Sequence, residues 1–336
     1  MGGDHLQGGS NGFRSDDTAT ARNILQKYGH SEFDYFKVWN DKSYFFSETR
    51  ESFLSYRVEW GTAVCLDDSV GPEPEQKDLF SRFTLYCRKK GLRLVVLFPD
   101  NLPLYTKIGL HLLKVGEEGV VDLKHFSEVV SRQKYFRHIR RAITNSGYYV
   151  ERYKPPLSSS IVDEAEQIST EWLKLRGHRE FGFAQGTFNR NYLAQTAISV
   201  LRDRQGRAVA FINEVPSYRP GEAMFDMTRN IPEVPHGAMD YIFSGLMQAL
   251  YQEGYKTFAM GVVPFAGVGE TPGSGLVDRG LHQLMHFNWL VHAKGLRLFK
   301  IKFEPYWEDR YVAYQGGRLA LVRIGLAISR AVERVN

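Results

Sequence analysis

Two cysteines, Cys65 and Cys87, are all that the 336 residues contain, too few for a disulfide framework and without the CxxC spacing of a metal site. They read as buried thiols of a reducing compartment. No run approaches the roughly 18 apolar residues of a membrane-crossing helix, and the start has no apolar signal-peptide core. His30, His178, His236 and His282 lie outside HExxH or carboxylate spacings, so no metal is expected. GETPGSG, residues 269–275, is Gly-rich but lacks the GK[ST] of a phosphate loop. A Q/RxxGxG/A loop that would cradle coenzyme A at a helix N-terminus is also missing, which counts against a simple N-acetyltransferase. These absences predict a protein without cofactor.

What is present is globular. Hydrophobic residues make up 43%, charged residues 24% and aromatics a rich 13%. The net charge of +5 permits an anionic partner without demanding one. Single cores stop growing at about 250–300 residues, so two domains are expected. The polar, Gly-rich opening, residues 1–17, reads as a disordered leader.

The periodicity predicts helices at 18–28, 75–90, 132–147, 160–175, 237–253 and about 277–292, with β-rich runs between them. Strands first meander and then alternate with helices, which predicts α/β mixed sheets with helices on their faces. The rhythm restarts after Pro155-Pro156, giving two similar lobes, 18–150 and 151–317, followed by a tail helix at 318–336.

Four patterns stand out. FDMTRN places Asp226 and Arg229 at a strand end, where strict alternation sets them on opposite faces unless the strand bends. KFEPYWEDRYVAYQGG, residues 302–317, crowds Phe303, Trp307 and Tyr311 beside Lys302, Glu308 and Arg310. The shared parity of 302, 308 and 310 favours one face. The bland alternative for the segment is a strand and turn at a sheet edge, with Glu308–Arg310 as a bracing ion pair. RQKYFRHIRRAITNSG carries Lys134, Arg137, Arg140 and Arg141 as one helical stripe. In the tail, Arg323, Arg330 and Arg334 share a face, with Leu319, Val322, Leu326 and Ile328 around the others.

The tracts YGHSEFDYFKVWNDKSYFF, GEEGVVDL, ISTEWLKLRGHREFGFAQGTFNRNYL, VAFINEVP, FDMTRN, GAMDYIF, YKTFAMGVVPFAG and GLRLFKIKFEPYWEDRYVAY follow one another along the chain. In that order they resemble the C-terminal catalytic domain of aminoacyl-phosphatidylglycerol synthases, the phosphatidylglycerol lysyltransferase family. Val291 and His292 depart from its pattern, where an aromatic–Asn pair is usual. The resemblance implies a tandem of acetyltransferase-like (GNAT-type) folds related to the Fem aminoacyltransferases. It also implies transfer of lysine or alanine from aminoacyl-tRNA to a glycerol hydroxyl of phosphatidylglycerol, at the cytoplasmic face of a bacterial plasma membrane. Typical members carry a multi-helix membrane region ahead of this domain, so the chain would be an excised domain or a stand-alone relative. A Fem-like transferase for a peptidoglycan precursor and a non-catalytic membrane- or tRNA-binding domain are the rival readings.

The ester donor is already activated, so a base, an oxyanion donor and sites for two polyanions suffice. On the family's pattern, Asp226 takes the attacking hydroxyl or the α-amino group, and Arg229 a phosphate or the oxyanion. Lys302 takes a phosphate, and Glu308 the amino acid's ammonium or Arg310. Phe303, Trp307, Tyr311 and Arg310 wall the substrate channel. The 134–141 stripe either tracks tRNA phosphates or is a solvated face. The tail either lies on an anionic membrane through Arg323, Arg330 and Arg334 or docks on the second lobe.

Overall fold

Each half of the chain runs through the same order of elements: three antiparallel strands, a helix, a strand parallel to the third, a short helix and a closing antiparallel strand. The computed structural model describes residues 15–175, 177–267, 294–317 and 320–333. In the first half these elements are β1 (Ser43–Phe46), β2 (Phe53–Glu59), β3 (Thr62–Leu66), α3 (Glu73–Lys89), β4 (Arg93–Leu97), α4 (Leu102–Lys107) and β5 (His111–Asp122). In the second they are β7 (Ala197–Arg202), β8 (Ala208–Pro216), β9 (Glu222–Asn230), α9 (Ala238–Gln252), β10 (Thr257–Pro264), α10 (residues 294–301) and β11 (Tyr306–Tyr314). Before them come α1 (Ser15–Tyr28) and α2 (Asp34–Lys37) in the first half. The second is preceded by α5 (Leu123–Glu128), α6 (Lys134–Asn145), β6 (Tyr149–Tyr153), α7 (Ser159–Lys174) and α8 (Arg190–Ala194), and α11 (Ala320–Glu333) follows it.

The eleven strands form one sheet, ordered β1-β2-β3-β4-β11-β5-β10-β9-β8-β7-β6. The closing strands are exchanged. β5 pairs with β10 of the second half, β11 pairs with β4 of the first, and the two pair with each other. At their centre Glu308 lies directly opposite Glu118. The mixed α/β class is as expected. The expected division near residue 150 falls at the head of β6, and in space β11 crosses back to pair with β4 of the first half. Residues 306–314 are therefore an interior strand, not an edge.

The core follows the same logic. Phe126, Phe136, Phe243, Phe299 and Phe303 meet between the sheet and α5, α6, α9 and α10. Cys65 of β3 and Cys87 of α3 are buried where that helix meets the sheet. The tail helix buries Leu321, Ile324, Ala327 and Ala331, and it packs on β2 and β3. The helix docks on the first lobe as well as on the second, the expected packed alternative: Arg57 of β2 donates to the Ala331 carbonyl at 2.8 Å and the Gly182 amide to the Val332 carbonyl at 2.8 Å, capping the helix where its carbonyls are free. Helix α1 begins at Ser15, inside the expected leader. Residues 1–14, the expected helix at 277–292, the Gly-rich tract 269–275, Val291, His292, Leu319 and Arg334 lie outside the described residues.

Candidate active site

β9 and β10 pair over three residues, from Glu222–Thr257 to Met224–Ala259, and then part. The free end of β9 carries Asp226 and Arg229. Between Phe225, opposite Glu214, and Thr228, opposite Ile212, two residues of β9 face Asn213 alone. This bulge resets the alternation, so Asp226 and Arg229 share the face covered by α7 and α8. The bend that their convergence required is present.

A single segment, residues 180–188, holds both groups. Gly186 N–H donates to Asp226 Oδ1 at 2.9 Å, and Glu180 accepts from Arg229 at 2.5 Å. Glu180 also accepts the Phe188 amide at 2.9 Å. Residue 186 must be glycine, because a Cβ there would collide with the Asp226 carboxylate and crowd Trp39 and Tyr192. Tyr192 donates to Asp226 Oδ2 at 2.5 Å and accepts from Asn213 at 2.9 Å, while Asn213 Oδ1 holds the Met227 amide of the bulge at 2.8 Å. Burial pushes the Asp226 carboxyl up to about 6 against the opposing Tyr192 hydrogen bond. Such a group takes and returns a proton near neutral pH. Arg229, 4% exposed, donates to Ser169 and Glu180 and lies over Trp172. Its guanidinium is largely committed.

The residues of the 302–317 segment do not assemble as expected. Lys302 follows α10, pairs with Asp240 of α9 and lies 3.3 Å from the Tyr135 hydroxyl, away from Glu308 and Arg310. The parity argument fails because residue 302 precedes the strand. Phe303 is fully buried in the aromatic core and walls no channel. Trp307 is half-buried on the opposite strand face, under Arg297, and Tyr311 donates to Asp309 at 3.1 Å.

Glu308 and Arg310 do share a face, in a larger charged cluster. Arg310 Nη2 meets Glu32 at 2.5 Å, Glu308 at 3.1 Å and Glu118, while Nη1 reaches Asp100 at 3.2 Å. Arg219 meets Glu32 and Asp100, both at 2.8 Å, and Glu308 at 3.1 Å. The bracing-pair alternative for Glu308–Arg310 is part of this network. Glu32 is held well above the usual carboxylate range by burial and by Glu118.

Sequence reasoning gave no role to Tyr35, Trp39, Glu180, Tyr192, Asn213, Arg219, Lys300, Glu32 or Glu118. Most lie in the tracts that carry the resemblance, but their meeting depends on long-range pairing. Lys300 of α10 is 2% exposed and donates to the Gly261 carbonyl at 2.5 Å, at the β10 bulge. Burial pulls it down to about 7, against the field of Glu118.

The remaining candidates lie on the surface. Lys134, Arg137, Arg140 and Arg141 are exposed along α6 and have no ion-pair partner among the described residues, while Phe136, Ile139 and Ile143 bury the opposite side. On α11, Arg323 and Arg330 are exposed beside Val322 and Leu326.

A doubled mixed sheet with exchanged closing strands, whose ninth strand parts from its parallel neighbour beside a buried carboxyl, defines a tandem acetyltransferase-like protein. FemX shares this architecture, with a TM-score of 0.57 over 91% of this chain and 98% of that chain, at 9% identity. Residues 22–314 match the family described as phosphatidylglycerol lysyltransferase, C-terminal, and the chain belongs to that family. The structure of L-PGS from Bacillus licheniformis is similar, with a TM-score of 0.81 and 28% identity over 94% of this chain and 97% of that chain. The C-terminal domain of a putative lysylphosphatidylglycerol synthetase from Agrobacterium fabrum also has a TM-score of 0.81 and 28% identity, over 95% and 98%. A phosphatidylglycerol lysyltransferase from Staphylococcus epidermidis is 30% identical over 295 residues, which is 87% of this chain and 35% of the relative. The chain thus spans about a third of the length of the curated relatives it matches. No helix among the described residues is long and apolar enough to cross a membrane.

Proposed function

We propose that this chain transfers an amino acid, lysine or alanine, from aminoacyl-tRNA to a glycerol hydroxyl of phosphatidylglycerol, at the cytoplasmic face of a bacterial membrane. The observation that carries the reading is the β9 bulge, which sets Asp226 and Arg229 on one face in a chain of this family. Asp226 takes the proton of the attacking hydroxyl as its oxygen bonds to the acyl carbon. It returns that proton to the departing ribose oxygen as the tetrahedral intermediate collapses. Arg229, tied to Ser169 and Glu180, braces the segment that holds Asp226 and adds positive potential beside it. The direct test uses tRNA charged with radiolabelled lysine or alanine, together with phosphatidylglycerol vesicles. Label in the lipid phase supports the reading. Label on a peptidoglycan precursor alone, or none in either acceptor, overturns it.

In this reading the α6 stripe takes tRNA phosphates. Among the described residues its cations pair with no carboxylate, so phosphate contact there breaks no internal pair. Changing Arg137, Arg140 and Arg141 to Gln should weaken tRNA binding and flatten its salt dependence by up to about 0.9 in log–log slope per lost duplex contact. Transfer from a minimal aminoacyl-nucleotide should persist. An unchanged salt slope would leave the stripe a solvated face.

The exposed Val322, Arg323, Leu326 and Arg330 of α11 suit an anionic interface, with apolar groups among acyl chains and each cation adding about 1 kcal/mol. Reversing Arg323 and Arg330 to Glu should reduce sedimentation with phosphatidylglycerol vesicles while Tm holds, since neither side chain is buried. Undiminished vesicle binding would leave α11 a structural cap.

A further inference from the structure

We infer that Tyr35, supplied by the first half of the chain, is a catalytic residue of the second half's site, its phenol donating to the oxyanion that forms on the aminoacyl carbonyl. The inference rests on the aminoacyl-transfer reading and deepens it. Acyl transfer needs a donor aimed at the nascent oxyanion. Arg229, the expected one, is largely committed to Ser169 and Glu180, and the Tyr192 hydroxyl is spent on Asp226. Tyr35 is different. It stands in the same aromatic cluster, with its ring centroid 6.1 Å from Tyr192 and 6.5 Å from Trp39, and Trp39 is in turn 4.6 Å from Tyr192. Its hydroxyl has no hydrogen-bond partner among the described residues, and the side chain is only partly buried.

The mounting of Tyr35 is rigid. It sits on α2, a four-residue helix too short to be stable alone. An ion cluster pins that helix to the end of β3. Lys37 Nζ donates to Asp34 Oδ1 at 2.5 Å, to Asp67 Oδ2 at 3.0 Å and to the Asp68 carbonyl at 2.6 Å, and both Lys37 and Asp34 are fully buried. Burying these charges is costly unless geometry is good, and here it fixes the direction in which α2 presents Tyr35. Burial, followed by the fields of Asp226 and Tyr218, raises the phenol to about 12, so it stays protonated at any working pH. It is a donor and not a base. During the reaction the lipid oxygen bonds to the acyl carbon, the carbonyl π electrons move to the oxygen that Tyr35 meets, and the hydroxyl proton goes to Asp226. Collapse breaks the bond to the ribose oxygen, which receives that proton.

Tyr35→Phe keeps the ring and deletes only the hydroxyl, so Tm and the KM for charged tRNA should hold while kcat falls about 100-fold, the scale of a lost oxyanion donor. Hydrolysis of the aminoacyl ester without lipid, which needs the same oxyanion, should fall in parallel. Tyr35→Ala should lose the rate and lower Tm as well, because the ring contacts go. Wild-type kcat in Tyr35→Phe, with the parent protein active, overturns this inference alone. A parent protein that neither transfers nor hydrolyses overturns the aminoacyl-transfer reading and this inference with it.

Discussion

Asp226→Asn should lower aminoacyl transfer by about 100-fold or more, the scale of losing a general base, with little loss of Tm. Asn retains an oxygen for the Gly186 amide, and its shape fits the space that the carboxylate fills between Gly186 and Tyr192. Because burial raises Asp226 to about 6, its rate should fall as pH drops through that value, and the residual rate of the Asn protein should be flat there. Stability has the opposite sign. A carboxyl whose folded pKa is raised favours the fold below its unfolded pKa and loses that contribution as pH rises through about 6. The Asn protein should therefore gain Tm relative to the parent between pH 4 and 8. Arg229→Ala behaves differently: it leaves Glu180 without its cation and opens space under Trp172, so about 3–5 kcal/mol of stability should go with the activity. A near-parental rate in Asp226→Asn would remove Asp226 from the chemistry.

Most helices and the mixed α/β class were legible because helical periodicity and turn residues are local signals. The site was less so. Asp226 and Arg229 share a face only because Asn213, on another strand, meets two residues at once, and no reading of β9 by itself contains that register. Lys302 illustrates the converse error. Its parity with Glu308 and Arg310 presumed a strand that begins only at Tyr306, beyond the turn at Lys302 and Phe303. Tyr35 and Trp39 were visible as aromatics, yet their target lies almost two hundred residues away and is reached through a helix held by buried charge. The strand exchange was invisible for the same reason: either closing strand could pair within its own half, and only the assembled sheet shows that it does not.

Arg310→Met should cost about 3–5 kcal/mol of stability, the cost of leaving buried carboxylates without their cation. Arg310 is 4% exposed and stands where β5 and β11 cross between the halves. It meets Glu32, Glu118, Glu308 and Asp100, of which Glu32 and Glu118 are themselves buried. Arg219 contacts Glu32, Asp100 and Glu308 but no carboxyl oxygen of Glu118, so Glu118 is left worst off. Methionine preserves much of the side-chain volume, which assigns the loss to charge and not to a cavity. The pH dependence identifies the cause. Glu32 already titrates well above 4.5 through burial and Glu118, and losing Arg310 raises it further. Its favourable contribution is then present below 4.5 and lost as pH rises through the raised folded value, so the Tm deficit should be small near pH 4.5 and wide at pH 8. Adding Glu118→Gln to Arg310→Met should recover a good part of the loss, since a neutral amide there no longer faces Glu308 across the strands as a like charge. A deficit that is the same at both pH values, or a double variant no better than the single one, would mean that Arg310 contributes by packing and that the charge cluster does not govern the joint between the halves.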